Sequence, residues 1–169
     1  MINFYIFDYN SSYQNKIISN LDDRIYFEKI NLRHLRFYKI ITVVAYYNLL
    51  RFLRVIKKDV YISYVIDSNS VISYAICYPK SFKYPFMEED EYQIGSVFTD
   101  PRYRKKGYSG LVIKNILQNI KCKRTWYLTE SDNVASINLC KKLNFNYFSK
   151  GTRSNNKFLS FLSIYKITD

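Results

Sequence analysis

A chain of 169 residues, 48% hydrophobic, with four glycines and three prolines, has material for one core and little for linkers. That hydrophobic share excludes a disordered chain. The net charge of +12, from 26 Lys and Arg against 14 Asp and Glu, favours anionic partners without choosing among them. Residues 1–10 (MINFYIFDYN) lack the basic start and small-residue cleavage site of a secretory signal. Cys77, Cys122 and Cys140 show no metal spacing and cannot all pair, which fits a reducing cytoplasm and no metal site. Nucleic acid is set aside as a partner because no recognised DNA- or RNA-binding motif accompanies the charge.

In chain order, Ile2 to Phe7 reads as a first strand, and Ser11-Ser12 as the cap of a short helix through Leu21. Arg24 to Ile30 alternates weakly and reads as a second strand. Asn31 reads as the N-cap of a long helix ending near Lys58. That helix carries Arg33, Arg36, Lys39, Arg51, Arg54, Lys57 and Lys58, a basic face that could meet solvent, a substrate or a membrane surface. Its apolar run, Ile40 to Leu50, is too short to span a bilayer. His34, the single histidine, reads as structural.

Val60 to Ile66 and Val71 to Tyr78 are β-branched and aromatic runs separated by Asp67-Ser68-Asn69-Ser70, a hairpin signal. A loop from Pro79 to Glu91 follows, ending in the acidic run Glu88-Glu89-Asp90-Glu91, either a solvated loop or an attractor for an amine. Ile94 to Thr99 is a strand, stopped by Asp100-Pro101. Arg102, Arg104, Lys105, Lys106, Gly107, Ser109 and Gly110 come next. A helical pattern then places Leu111, Val112, Ile116, Leu117 and Ile120 on one face. Small residues and unpaired helix-start amides in a basic turn are a way to hold a phosphate. The turn is neither a P-loop, GxxxxGK[ST], nor a dinucleotide fingerprint, GxGxxG. Thr125 to Thr129 is the next strand, followed by a helix from Asn133. Strands at Phe145 to Phe148 and Lys157 to Lys166 close the chain. The order implies an α+β (mixed α/β) layer around a central sheet.

Two stretches carry a resemblance. Arg104-x-x-Gly107-x-Ser109 is similar to [QR]-x-x-G-x-[GA], with Ser109 as the departure. Asn133 to Phe145 (NVASINLCKKLNF) is similar to N-x-x-[AS]-x-x-L-Y-x-K-x-G-F, with Asn133, Ser136, Leu139, Lys142 and Phe145 in register. Together they resemble the GNAT superfamily of N-acetyltransferases over about Tyr92 to Lys150. The resemblance implies a single domain over 1–169 with a mostly antiparallel sheet flanked by helices. It also implies acetyl-CoA as co-substrate and direct acetyl transfer to a primary amine. By the same resemblance the pyrophosphate lies at Arg104, Lys105, Lys106, Gly107, Tyr108, Ser109 and Gly110. The pantetheine runs along Ser96 to Thr99, with Val97 and Phe98 backbone groups polarising the thioester and Asn133 and Ser136 at the second helix. A helix N-cap is the structural alternative for Asn133.

The family often places a tyrosine, the acid toward the departing sulfur, where this chain has Cys140. Cys140 is therefore either a donor or a buried filler, and Tyr108 or Tyr147 could supply the acid instead. Glu130 is the first candidate for the base, Glu91 a second, and a water chain a third. For the acceptor, the resemblance extends to enzymes acting on nucleotide-linked amino sugars in surface-polysaccharide synthesis, which would suit the charge. The alternatives are a protein or peptide amine, a polyamine, or a non-catalytic acyl-CoA-binding or regulatory module. A second copy of the chain, as a homodimer, is carried as a further partner.

Overall fold

The computed structural model describes residues 1–8, 24–31, 41–52, 56–154 and 163–168. The chain folds as two compact units. The first contains Met1–Tyr9, Pro79–Gln93 and Cys122–Asp169; the second contains Asn10–Tyr78 and Ile94–Lys121.

The first unit is built on β1 (Ile2–Asp8), β6 (Arg124–Glu130), β7 (Asn146–Arg153) and β8 (Tyr165–Thr168), with helix α3 (Val134–Lys142). Its strands run in the order β6-β1-β7-β8, antiparallel throughout. The chain's first strand is thus an inner one, and its composition says why. Ile2, Phe4, Tyr5 and Phe7 are all buried, so both faces of β1 are covered and the run is apolar without alternation. One face, through Ile2 and Phe4, packs with Trp126, Tyr84 and Met87, joined by Phe86 and Tyr165. Phe86 meets Phe4 edge-on at 5.1 Å and Trp126 at 4.9 Å. Each such side chain, fully buried, contributes about 1.5–3 kcal/mol. On the other face Phe7 and Tyr127 pack against Phe145 at 5.4 and 5.8 Å. Gly151 of β7 has no room for a side chain, because a Cβ would collide with the Lys166 carbonyl and the Phe4 ring.

The second unit holds β2 (Ile25–Lys29), β3 (Tyr61–Asp67) and β4 (Ser70–Pro79) as an antiparallel set. It also holds β5 (Tyr92–Thr99) from Ile94 onward and helices α1 (Ile41–Phe52) and α2 (Tyr108–Asn119). The expected hairpin between β3 and β4 is present. Ser68 and Asn69 both take positive φ, 46° and 60°, as a two-residue turn with the right twist requires. Val44 and Tyr47 of α1 pack with Ile62, Tyr64, Tyr74 and Tyr78. The alternate residue Ser63 instead meets α2, where its Oγ accepts from Asn115 Nδ2 at 3.0 Å.

One expectation is corrected. The helix expected over Asn31 to Lys58 is helical over Ile41–Phe52, and residues 56–60 are not helical. Ile56 and Val60 turn into the core, and the Val60 carbonyl accepts from Ile30 N–H at 2.8 Å, so the chain is already leading into β3. Asn31 donates from its Nδ2 to the Lys29 carbonyl at 3.4 Å, and the residues that it is expected to cap, from 32 to 40, lie outside the described residues. The helix capped by Ser11-Ser12 lies outside the described residues, as do Arg33, His34, Arg36, Lys39, Arg54 and most of the last expected strand. Among the described residues no helix is long and apolar enough to cross a membrane.

Candidate active site

The residues singled out by sequence fall in both units. In the second unit β5 is extended except at Ser96, whose φ of +48° is left-handed. For a non-glycine residue this costs about 1–2 kcal/mol, and it redirects the backbone that follows. Ser96 is exposed, while Val97 and Phe98 are half-buried. The Phe98 carbonyl accepts from Ser73 Oγ at 2.9 Å, and its ring stacks on Tyr74 at 5.4 Å.

The strand ends in a tight 3₁₀ turn, Pro101–Tyr103. Asp100 caps it, and its Oδ1 accepts from both the backbone N–H and the Nε of Arg102, each at 3.1 Å. Proline at the first position suits such a start. Arg104 Nε donates to the Thr99 carbonyl at 3.3 Å, tying the turn to the strand end. Lys105 at φ +62° and Gly107 at φ +88° then bend the chain into α2. Gly107 is the N-cap and offers no side chain to its amides, and the Gly107 carbonyl accepts from Leu111 N–H at 3.1 Å. The first amides of α2 therefore point out of the helix with the positive end of its dipole behind them. Arg104, Lys105 and Lys106 are exposed and carry no carboxylate partner among the described residues. Lys106 Nζ lies 5.3 Å from the centroid of the Tyr103 ring, and the Tyr103 ring meets Tyr108 edge-on at 6.1 Å.

Ser109 is accounted for by the same geometry. Its Oγ bonds Thr99 Oγ1 at 2.7 Å, and Thr99 Oγ1 bonds Ser73 Oγ at 2.8 Å. The hydroxyls form a chain from β4 through β5 to the start of α2. Gly110 follows, half-buried, in the first turn of that helix. The side chain that departs from the expected glycine or alanine is turned inward and used.

In the first unit β6 ends at exposed Glu130, whose carbonyl accepts from Asn133 N–H at 3.1 Å. Asn133 is the N-cap of α3, and its Oδ1 accepts from Ser136 N–H at 3.1 Å. Cys140 is 1% exposed, and burial pushes its thiol up to about 12. Burial likewise pushes Tyr127 up to about 12, partly offset by the nearby Ser136 hydroxyl. Tyr147 is exposed. Helix α3 closes in a left-handed Asn144 at φ +61°, with Phe145 N–H reaching the Cys140 carbonyl at 3.0 Å and Asn144 N–H the Lys141 carbonyl at 3.1 Å. This is the paired closure usually made with glycine, and asparagine is the next best residue for it.

Glu91 is fully buried and engaged. Its Oε2 accepts from Trp126 Nε1 at 2.7 Å and from Glu88 N–H at 2.9 Å, and Arg124 Nη1 lies 3.5 Å from Oε1. At that separation Arg124 supplies charge and Oε1 gains no hydrogen bond. Two more carboxylates of the acidic run are paired, Glu88 with Lys123 at 2.8 Å and Glu89 with Lys80 at 3.2 Å. No cluster of His, Cys, Asp and Glu among the described residues could hold a metal ion.

Residues 31–145 match the model of the acetyltransferase (GNAT) family. The chain belongs to that family. No curated protein sequence matches it significantly. Among solved structures it is similar to a protein from Novosphingobium aromaticivorans assigned to the GNAT family, at 13% identity and a TM-score of 0.60, covering 87% of this chain and 59% of that one. It is similar to the aminoglycoside N-acetyltransferase AAC(6')-Iy in complex with CoA, at 14% identity, a TM-score of 0.59, and coverage of 78% and 98%. The aminoglycoside 6'-N-acetyltransferase AAC(6')-IG from Acinetobacter haemolyticus gives 14%, 0.57, 78% and 97%. The chain spans somewhat over half the length of the first two structures it matches. At these identities the likeness establishes the fold, α+β with strands and helices in the GNAT order.

Sequence reasoning missed Ser73, Tyr78 and the left-handed Ser96. Nothing in a β-branched strand marks one serine as the link in a hydroxyl chain. A positive φ at a serine has no sequence signal, since among non-glycine residues asparagine and aspartate are the ones that favour it.

Proposed function

We propose that the chain transfers the acetyl group of acetyl-CoA directly to a primary amine, in the cytoplasm, with an amino sugar as the acceptor class. The observation that carries the reading is the Gly107 turn, with uncapped helix amides and three cations that have no carboxylate partner among the described residues, at the end of a strand bent at Ser96. A pyrophosphate needs those amides together with Arg104, Lys105 and Lys106, while Tyr108, Ser109 and Gly110 let it approach the helix start. Backbone groups of Val97, Phe98 and Thr99 would hold the pantetheine arm and thioester. Of these, the Phe98 carbonyl is already bonded to Ser73. The family resemblance assigns Asn133 and Ser136 to the arm as well, and Asn133, whose Oδ1 is used in capping, keeps an Nδ2 with no partner among the described residues.

In the reaction the amine nitrogen bonds the acetyl carbon and the carbon–sulfur bond breaks. The amine's proton goes to a base, and the thiolate leaves with a proton from an acid. Glu130, exposed at the end of β6, is the base in this reading, directly or through water. Glu91 is a poorer one because its carboxylate is enclosed and shared with Trp126 and Arg124. Cys140 serves better as packing than as acid, since a thiol held near 12 donates poorly and has no exposed surface. Tyr108, half-buried in the binding turn, and exposed Tyr147 remain the alternatives for that acid.

Solved neighbours named for aminoglycoside and glucosamine acetylation support an amine on a sugar. The net charge supports a nucleotide-linked form. The basic helix gives that form less support than its sequence does, since Arg51 pairs with Asp59 at 3.1 Å. A second reading, a non-catalytic acyl-CoA-binding module, is favoured by Cys140 at the family's tyrosine position.

The test is CoA release from acetyl-CoA over a panel of free amino sugars, nucleotide-linked amino sugars, spermidine and a lysine peptide. Turnover is expected with the sugars, highest for the nucleotide-linked ones and falling with salt. Faster turnover of spermidine or the peptide would move the acceptor to those classes. Tight CoA binding without release for any amine would establish the module.

A further inference from the structure

The bend at Ser96 is held by a side chain that none of the family motifs contains. Tyr78, near the end of β4, is 5% exposed, and its ring stacks on Tyr47 of α1 at 4.6 Å. Both rings belong to the core cluster with Ile76 and Val44, so the Tyr78 ring is fixed in place. Its hydroxyl donates to Ser96 Oγ at 2.5 Å. Downstream of the bend the strand is pinned elsewhere, by Ser73 Oγ on the Phe98 carbonyl and on Thr99. Upstream, Ile94 is fully buried. Ser96 is the residue of β5 at positive φ, and serine does not prefer that conformation. The conformation persists where surroundings hold it.

We propose that Tyr78 is a positioning residue whose hydroxyl latches the left-handed bend at Ser96, and so sets where the Val97 and Phe98 backbone groups meet the thioester of acetyl-CoA. The inference deepens the acetyl-transfer reading and rests on it. A relaxed Ser96 rotates the following peptide groups out of line, while the pyrophosphate turn at Gly107, several residues on, keeps its shape. Loss of the latch therefore lowers the rate and spares the affinity for CoA.

The experiment compares Tyr78→Phe, Ser96→Ala, Ser96→Gly and the double variant Tyr78→Phe/Ser96→Gly in the full chain. Measured are kcat with the best amine of the panel, KM for acetyl-CoA, calorimetric affinity for CoA, and amide hydrogen exchange at Val97 and Phe98. Tyr78→Phe is expected to lower kcat about tenfold, the rate equivalent of one hydrogen bond, with CoA affinity unchanged and faster exchange at both amides. Ser96→Ala removes the same bond from the other side and should do the same, which covers the case in which Tyr78→Phe does not fold. Glycine takes positive φ without help, so the double variant should recover most of the loss. Wild-type kcat and exchange in Tyr78→Phe would overturn the proposal. So would a Tyr78→Phe defect that glycine at position 96 leaves unrelieved. If the unmodified chain releases no CoA with any amine of the panel, the acetyl-transfer reading fails, and the exchange rates at Val97 and Phe98 still decide the latch.

Discussion

Two strand–turn–helix passages in this chain solve the same local problem in opposite ways. After β5 the chain enters α2 through Gly107, which takes φ +88° and caps nothing. After β6 it enters α3 through Asn133, whose Oδ1 satisfies the Ser136 amide. The first turn is basic, with Arg104, Lys105 and Lys106; the second is acidic, with Glu130 and Asp132. An uncapped helix start surrounded by cations stays stable only with water or an anion on its amides, whereas a capped one needs neither. The first passage therefore leaves its amides open to an anion, while the second spends its cap oxygen on its own helix.

Each passage also has a glycine with half of what glycine offers. Gly107 uses the left-handed backbone and has open space where a Cβ would go; Gly151, in the strand after α3, has no positive φ and no space. The largest effect expected is at Gly151. Gly151→Ala drives a methyl into the Lys166 carbonyl and the Phe4 ring, and should cost about 3 kcal/mol or more, read as a fall in the denaturation midpoint. At Gly107 the damage should appear in binding. Gly107→Val imposes on valine a conformation that costs an L-residue about 1–2 kcal/mol, more when β-branched, so the turn relaxes. Acetyl-CoA affinity by calorimetry should fall roughly ten- to a hundredfold with a nearly unchanged midpoint. Equal binding in Gly107→Val, or a stable Gly151→Ala, would dissolve the contrast.

The next effect is smaller and separates packing from chemistry at Cys140. Burial raises its thiol from 9.0 to about 12, and Tyr127 beside it from 10.0 to about 12. Between those values and 12 the unfolded chain loses protons that the folded chain keeps. Stability is therefore full below pH 9 and declines as pH rises toward 12, more steeply once Tyr127 joins above pH 10. Cys140→Ala should flatten the first part of that decline. Cys140→Ser buries a hydroxyl in an apolar site and should cost about 1–3 kcal/mol, with kcat nearly intact below the melting range. A kcat lost in Cys140→Ser at normal stability and acetyl-CoA affinity would make the thiol part of the chemistry.

Much of this arrangement is legible in the sequence because composition and local rules agree. The hairpin at Ser68-Asn69, the stop at Asp100-Pro101 and the cap at Asn133 each follow from what one or two residues can do alone. The acidic run is ambiguous in the sequence because its meaning depends on Lys80, Lys123 and Arg124, which the fold brings to it from elsewhere in the chain. The long basic helix is overextended for a similar reason. Ile56 and Val60 continue an apolar period, yet the core draws them inward and the chain leaves the helix. The Ser73–Thr99–Ser109 chain is invisible to sequence reasoning, since its members lie on three elements.

The smallest effect tests whether the closed passage is closed completely. Asn133 has two functional ends, an oxygen used as a cap and a nitrogen that the acetyl-transfer reading assigns to the pantetheine arm. Serine caps a helix about as well as asparagine does, but with no amide nitrogen to offer. Asn133→Ser should therefore leave the denaturation midpoint in place. Acetyl-CoA affinity should fall about three- to tenfold if the nitrogen makes one hydrogen bond to the arm. Asn133→Ala removes both ends, and should add about 1 kcal/mol of lost stability to the same loss of affinity. If Asn133→Ser binds acetyl-CoA as the unmodified chain does, Asn133 is a cap alone. The two passages would then differ as completely as their first residues do, one open to a ligand and one spent entirely on its own helix.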